Sequence, residues 1–188
     1  MTISRSKNHG PWTCLSSRVM YHNPWITVCH DEVMTPGATA GIYGTVHFKN
    51  AAVGIVALDD EMHTYLVKQF RYTLGRECWE IPMGGGAIDS DYLATAKREL
   101  EEETGLCAHA WQEILRADIS KSVTDEIGII YLAQNLYSGT MALEPSEDIE
   151  VQRLPWSEVV KMALEGGITD VLSIAAILKV DRMLCLGR

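Results

Sequence analysis

Three successive glycines, Gly84 to Gly86, lie directly before a stretch that has the spacing of an α-helix. In that stretch, apolar residues recur at intervals of three and four positions: Leu93, Ala96 and Leu100. Ser90 is expected to cap the N terminus of the helix through its hydroxyl, and Gly105 is expected to end it. We therefore predict a glycine-rich loop over residues 83–90 that is not a regular element, followed by a helix with one buried face.

Glutamates cluster on one side of this predicted helix. Glu99 and Glu103 are four residues apart and Glu102 is three residues from Glu99, so the carboxylates project one above another. Like charges at this spacing repel, whereas a divalent cation that prefers oxygen ligands would turn the cluster into a ligand set. Arg98 precedes Glu99 by one residue and Glu102 by four, which places it to neutralise and orient a carboxylate.

The glycine-rich segment complements the glutamates in this hypothesis. Gly84 and Gly85 have no side chains, so the backbone there can closely approach a bound ion or phosphate. The carbonyl oxygen of Met83 would be a further oxygen ligand. A bare run of glutamates is most often a solvated surface. The combination of glutamates and glycines at these spacings favours a metal site.

Composition excludes several other classes of function. The net charge is −9 and the chain has no Lys/Arg cluster, which argues against a nucleic-acid partner. No apolar run approaches the ~18 residues of a membrane span, and no secretory signal pattern is present. The five cysteines are odd in number, widely spaced and without a C-x-x-C pair, so they indicate neither a disulfide framework nor a zinc site, and free thiols in a reducing cytoplasm are expected. We expect a cytoplasmic protein without a nucleic-acid or membrane partner.

Short β-like runs surround the helix. Strands are predicted at residues 18–21, 25–32, 42–48, 51–58, 63–71, 79–82, 110–117, 128–136 and 148–154. Helices are predicted at residues 157–165 and 170–184, and residues 1–16 are expected to be irregular. We expect residues 1–48 to form an N-terminal segment with a small antiparallel sheet, and residues 49–188 to form one α/β domain.

The stretch from Gly84 to Leu106 resembles the Nudix box. That motif reads Gly, five residues, Glu, seven residues, Arg-Glu, an aliphatic, any residue, Glu-Glu, any residue, Gly and an aliphatic. Eight of its nine specified positions match, and Ser90 replaces the first Glu. Either Asp89 or Asp91 supplies the missing oxygen, or Ser90 only caps the helix and fewer metal ions bind.

The chain from about Tyr21 to Met183 also resembles the ADP-ribose pyrophosphatase branch of this family. The resemblance rests on the order of five short pieces: residues 23–25, 67–71, 79–82, 122–126 and 146–149. It implies a Nudix α/β/α sandwich with a mixed sheet, and a small N-terminal antiparallel β-sheet that helps to form a homodimer. It also implies Mg²⁺, with Mn²⁺ as the other candidate, and cleavage of ADP-ribose to AMP and ribose 5-phosphate.

The same resemblance implies roles for individual residues in metal binding and proton transfer. Glu99, Glu103 and Glu147 are implied as metal ligands. The general base is left open among three candidates, in the order Glu144, Glu102 and Glu126.

Four further residues are candidates for contact with a small-molecule nucleoside diphosphate derivative. Arg71 resembles a contact to phosphate or to the terminal sugar, and the alternative is a surface salt bridge. Glu80 is a candidate contact to a base or ribose, and Glu126 has the alternative role of pairing with a loop amide or an arginine. Trp25 is a candidate for stacking on adenine, although a tryptophan beside a proline more often packs at a sheet or dimer interface.

Two other functions stay open from the sequence. One is hydrolysis of another nucleoside diphosphate sugar, such as GDP-mannose, or of a dinucleotide polyphosphate. The other is a non-catalytic Nudix-fold module that binds a nucleotide. Two features suggest it: Ser90 replaces the first Glu of the box, and Pro145 lies at the position expected for the general base. Retention of the repulsive glutamate cluster argues against the binding module.

Overall fold

The computed structural model describes residues 2–3, 7–143 and 148–187. The chain divides into two compact units. The first comprises residues 1–51 and 118–126, and the second comprises residues 52–117 and 127–188.

The first unit contains one antiparallel sheet. Its strands are β1 (Thr2–Ile3), β2 (Lys7–His9), β3 (Trp12–His22), β4 (Ile26–Met34) and β5 (Ala40–Phe48). The order is β1-β3-β4-β5, with β2 also paired to β3, and every one of these pairs is antiparallel. The small antiparallel N-terminal sheet predicted from sequence is confirmed.

The irregular start predicted for residues 1–16 is wrong for the part that the structure describes. Strand β3 begins at Trp12, and residues 7–9 pair with residues 12–14. The indole of Trp12 meets the ring of Tyr43 edge-on, at 5.6 Å between ring centroids. Strand β3 pairs with β4, and its Trp12 contacts Tyr43 of β5. Because these partners come later in the chain, residues 1–16 alone carry no periodic signal.

The second unit contains the helices and two sheets. Its strands are β6 (Asn50–Ala57), β7 (His63–Arg71), β8 (Arg76–Glu80), β9 (Met83–Ala87), β10 (Leu106–Asp118), β11 (Ile127–Ser138) and β12 (Glu150–Pro155). Its helices are α1 (Tyr92–Thr104), α2 (Trp156–Glu165) and α3 (Val171–Cys185). One sheet has the order β10-β11-β6-β9, with β11 parallel to β6, and the other has the antiparallel order β12-β7-β8.

The core of this unit lies between the helices and the four-stranded sheet. Strand β6 is apolar on both faces because neither face meets solvent, and Val53 and Ile55 are fully buried. Helix α1 packs on β9 and β11, and α3 packs on α2 and β11. In the described part of the chain, no helix is long and apolar enough to cross a membrane.

Two local predictions around α1 are wrong. Residues 83–87 are strand β9 rather than part of an irregular loop, because they pair with β6 at the edge of the sheet. A Cβ added at Gly86 would lie 3.2 Å from a methyl group of Val53, so a glycine suits this close pairing. The N-cap of α1 is Asp91 rather than Ser90, since its carboxylate accepts from the amides of Leu93 and Ala94 at 3.0 and 3.1 Å.

A buried serine connects α3 to the chain between β8 and β9. The Ser173 hydroxyl donates to the Asp170 carboxylate at 2.7 Å and accepts from the backbone amide of Ile81 at 3.0 Å. Asp170 is also the N-cap of α3, through the Ser173 amide. The N terminus of α3 therefore determines where the backbone at Ile81 lies.

Ser173→Ala is expected to lower the free energy of unfolding by about 1–3 kcal/mol, because the buried Ile81 amide would lose its acceptor. Urea unfolding followed by circular dichroism measures the change. Ser157→Ala, at an exposed position of α2, is the matched control. Equal unfolding midpoints for the two variants would contradict the assigned role of Ser173.

Candidate active site

Helix α1 brings two buried carboxylates into the second unit. Glu99 and Glu103 are only 6% and 2% exposed. Asp91 caps the N terminus of the helix. Gly105, at φ 68°, ends it by donating its N–H to the Glu101 carbonyl at 2.8 Å. Carboxylates at such depth require compensation by hydrogen bonds or by positive charge.

Gly84 provides the space for the first of these carboxylates. A Cβ at this position would lie 1.9 Å from Cδ of Glu99 and 2.0 Å from its Oε1. Any side chain other than hydrogen would therefore overlap the Glu99 carboxyl group. The glycine is needed because of a close approach between strand β9 and helix α1, rather than because of a left-handed backbone conformation.

The second carboxylate is held by the backbone of β9. The amide of Met83 donates to Oε2 of Glu103 at 3.0 Å. The sequence prediction assigned Met83 a different role, with its carbonyl oxygen as a metal ligand, and that role stays a prediction. The observed contact aligns β9 with the last turn of α1, so that both buried carboxylates face the same glycine strand.

Arg98 pairs with two glutamates of α1. Its guanidinium donates one hydrogen bond to Glu99 and one to Glu102, so the contacts expected from their spacing are present. Burial alone lowers the pKa of Arg98, but the charges of Glu99 and Glu102 outweigh it and raise the pKa overall. Arg98 thus supplies positive charge beside the acidic cluster.

The residues of this cluster fit a divalent cation by their chemistry. All the candidate side-chain donors are carboxylate oxygens, which Mg²⁺ and Mn²⁺ prefer. The contact at Gly84 leaves the Glu99 carboxylate directly against the backbone of β9. Within residues 2–3, 7–143 and 148–187, no three His, Cys, Asp or Glu side chains lie close enough together to hold a metal ion. Glu147, the further ligand predicted from sequence, lies outside the described residues.

Arg71 and Glu80 form a second charged pair. The guanidinium donates from Nε to Oε1 of Glu80 at 2.8 Å and from Nη2 to Oε2, which makes the pair bidentate. The hydrogen bonds to Glu80 raise the pKa of Arg71, and the charges of Asp170 and Glu103 add to the rise. The buried Glu103 carboxylate of α1 is therefore among the charges that act on Arg71.

Comparison with known proteins identifies the family. The family model of the NUDIX domain matches residues 48–172. The chain belongs to the Nudix family. A second model, the nucleoside diphosphate sugar hydrolase N-terminal domain, matches residues 12–46. The chain is therefore a Nudix hydrolase, which confirms the class of enzyme predicted from the Nudix box.

Individual Nudix relatives match over most of their length. The ADP-ribose pyrophosphatase of Mycobacterium tuberculosis (strain ATCC 25618 / H37Rv) is 34% identical over 171 residues, which are 88% of this chain and 81% of the relative. The ADP-ribose pyrophosphatase of Bacillus subtilis (strain 168) is 34% identical over 128 residues, 67% of this chain and 69% of the relative. A crystal structure of an ADP compounds hydrolase superposes with a TM-score of 0.83 at 20% identity, covering 95% of this chain and 97% of that one. The last match confirms the predicted Nudix fold.

The remaining residues predicted for the Nudix site fall into three groups. Gly85 lies at an exposed position of β9, beside Gly84. Trp25, which is 66% exposed, and Glu126 belong to the first unit. Glu144, the leading candidate for the general base, lies outside the described residues, as Glu147 does. The functional roles of all of these residues stay predictions.

Sequence reasoning missed several residues that order the Nudix site. Asp91 and the Asp170–Ser173 pair act through capping hydrogen bonds. The Asp-x-x-Ser spacing ahead of an apolar run is a capping signal that sequence reading could have found. The pairing of Arg71 with Glu80 had no such signal, since it depends on where β7 and β8 place the two side chains.

Glu80→Gln is expected to lower the free energy of unfolding by about 1–3 kcal/mol, because the amide leaves Arg71 without one of its two charged hydrogen bonds. Chemical denaturation measures the loss. Glu77→Gln, at an exposed position of β8, is the control. A Glu80→Gln protein as stable as the control would show that the bidentate pair contributes nothing.

Proposed function

We propose that the protein is a divalent-metal-dependent pyrophosphohydrolase that cleaves ADP-ribose to AMP and ribose 5-phosphate, with Mg²⁺ as the metal and Mn²⁺ as its substitute. The observation that carries the proposal is the pair of buried carboxylates, Glu99 and Glu103, held against the glycine strand β9. The names of the relatives at 34% identity support ADP-ribose as the substrate.

In this proposal, Glu99, Glu103, Glu147 and the carbonyl of Met83 would hold the cation. A bound cation would supply positive charge to the diphosphate and lower the pKa of a water molecule. Arg98 orients the carboxylates of Glu99 and Glu102. The attacking water forms a new P–O bond as the bridging P–O bond breaks, and its proton passes to a general base.

The general base is proposed to be Glu144, with Glu102 and then Glu126 as the alternatives. Arg71, positioned by Glu80, is proposed to bind phosphate or the terminal sugar of the substrate. The backbone at Gly84 and Gly85 is proposed to approach the diphosphate. The stacking role of Trp25 on adenine belongs to the same proposal.

A homodimer is also proposed, with residues 1–48 as the dimerisation segment and residues 49–188 as the hydrolase domain. Exposed apolar side chains on the sheet of the first unit support an interface there: Met20, Tyr21 and Ile42. Light scattering of the purified protein measures its mass in solution, and a monomer would contradict the proposal. The proposed cytoplasmic location agrees with the five free cysteines of the chain.

The experiment incubates the purified protein with ADP-ribose, GDP-mannose and NADH in parallel, first with Mg²⁺ and then with excess EDTA. Nucleotide products are separated by chromatography. AMP released from ADP-ribose in Mg²⁺, with at least a 100-fold lower rate in EDTA, is the expected result. An EDTA-insensitive rate would contradict metal dependence.

A second candidate is hydrolysis of a different nucleoside diphosphate sugar. The observation that favours it is the match of residues 12–46 to the nucleoside diphosphate sugar hydrolase N-terminal domain. Metal-dependent release of GMP from GDP-mannose, without AMP from ADP-ribose, would support this candidate. Nucleotide binding by calorimetry with no turnover of any of the three compounds would contradict both hydrolase proposals and favour a binding module.

A further inference from the structure

A short segment after β11 is attached to the last turn of α1. We call this segment, residues 139–142, the strap. Its Gly139 amide donates to the Gly105 carbonyl at 2.8 Å, its Thr140 amide to Oε1 of Glu101 at 3.2 Å, and its Ala142 amide to the Glu102 carbonyl at 3.0 Å. Three hydrogen bonds thus connect the strap to the C-terminal end of α1, the helix that carries the buried carboxylates.

Glu101 supplies the side chain in this attachment, whereas the other two contacts join backbone groups. The closeness of the strap is visible at Gly139, where an added Cβ would lie 2.8 Å from Oε1 of Glu101 and 2.8 Å from Sγ of Cys107. A hydrogen bond with Cys107 raises the pKa of Tyr137, and the charge of Glu101 adds to this rise. The side chains of Glu101 from α1 and Cys107 from β10 therefore both lie close to Gly139 of the strap.

Glu101 occupies an unspecified position of the Nudix box. In the Nudix box this position accepts any residue, so the motif assigns Glu101 no role. Yet the side chain of Glu101 joins the strap to the turn of α1 that also carries Glu102 and Glu103. Two residues after Ala142, the sequence reaches Glu144, the leading candidate for the general base.

We propose that Glu101 is a positioning residue for the hydrolysis, which acts by fastening the strap to the last turn of α1. The inference rests on the proposed function, because it concerns the carboxylates that the proposal uses. Displacement of catalytic groups by about 1 Å costs up to ~100-fold in rate. Loss of the Glu101 hydrogen bond, next to Glu102 and Glu103, is therefore expected to lower turnover although Glu101 itself does not touch substrate. Glu101 accepts a hydrogen bond here, and a neutral oxygen can do the same.

The test compares four variants with the wild-type protein. Glu101→Ala removes the acceptor, and Gly139→Ala displaces the end of the Glu101 side chain and also crowds Sγ of Cys107. Glu101→Gln keeps an oxygen that accepts from the Thr140 amide. Lys97→Ala, at an exposed position of the same helix, is the matched control.

We expect kcat to fall by roughly 10- to 100-fold in Glu101→Ala and in Gly139→Ala, with KM within about twofold of wild type. Glu101→Gln and the Lys97→Ala control are expected to keep wild-type kcat within about threefold. Because Gly139→Ala also brings a methyl group within 2.8 Å of Sγ of Cys107, the comparison of Glu101→Ala with Glu101→Gln carries the test. A merely structural role would lower the unfolding temperature without this division between kcat and KM.

Amide hydrogen exchange gives a readout that needs no substrate. The Thr140 amide is expected to exchange at least tenfold faster in Glu101→Ala than in wild type and in Glu101→Gln. If the wild-type protein turns over substrate and Glu101→Ala has the same kcat, the inference is overturned. A Thr140 amide that exchanges equally fast in Glu101→Ala and in wild type would also overturn it. Failure of the proposed substrate is seen separately, as a wild-type protein that does not cleave ADP-ribose. The kinetic comparison then uses the panel compound that the wild type hydrolyses, and no turnover of any compound also overturns the inference.

Discussion

The Glu103→Gln protein is expected to fold normally and to hydrolyse its substrate on the order of 100- to 1,000-fold more slowly than wild type. Glutamine has nearly the same shape, and its side-chain oxygen can still accept from the Met83 amide, which is 3.0 Å from Oε2 of Glu103. The substitution removes a buried charge that a cation would use as a ligand. Steady-state kinetics in saturating Mg²⁺ measures the loss.

The stability of this variant provides a second check. Removing one of several like charges on α1 is expected to leave the unfolding temperature in EDTA unchanged or higher. Glu165→Gln, at an exposed position of α2, is the control for the chemical change alone. Undiminished turnover in Glu103→Gln would exclude Glu103 as a metal ligand.

Gly84→Ala is expected to reduce activity by more than about 100-fold and stability by about 1–3 kcal/mol. The new methyl group would lie 1.9 Å from Cδ of Glu99, so either the carboxylate or strand β9 has to move. Glu99 is buried, and its displacement leaves a charge without its present surroundings. Kinetics and urea unfolding of the same preparation measure the two effects.

Gly44→Ala is the matched control for this prediction. A Cβ at Gly44 meets nothing within 4 Å, so the same chemical change there adds no overlap. The control is expected to be within about 0.5 kcal/mol of wild type and fully active. A Gly84→Ala protein that behaves like Gly44→Ala would show that β9 moves freely relative to α1, and that the close approach has no catalytic value.

Helix α1 was predictable because its signals are local. The apolar residues Ala96 and Leu100 recur at helical spacing and are buried, and Gly105 ends the helix in a left-handed conformation as expected. The contact of Arg98 with Glu102, four residues on, also follows from helical spacing, whereas its contact with the adjacent Glu99 does not. Groups three or four residues apart on a helix meet wherever that helix lies.

Strand β9 could not be predicted from local sequence signals. Glycine has a poor strand propensity, so the sequence of residues 83–87 by itself favours an irregular loop. In the structure they pair with β6 because absent side chains allow this backbone to approach Val53 and Glu99 closely. The groups that require glycine are distant in sequence, since Glu99 is 15 residues from Gly84 and Val53 is 33 residues from Gly86.

The N-cap of α1 illustrates a smaller ambiguity. Ser90 and Asp91 are adjacent and both can cap a helix, so composition alone could not choose between them. The choice depends on the backbone entering the helix, where Asp89 has a left-handed φ of 63° and Asp91 an extended conformation. With Asp91 engaged at the cap, it has a role apart from replacing the first glutamate of the Nudix box.

By itself, the sequence determined helix α1 with its row of carboxylates, most of the other strands and helices, and the family to which the chain belongs. These features depend on the spacing of residues along the chain, and that spacing is the same whatever the tertiary structure. Only the tertiary structure decided that Gly84 accommodates Glu99, that Met83 donates to Glu103, and that Arg71 pairs with Glu80. Such contacts join distant segments, and they form only when packing has brought the strands and the helix together.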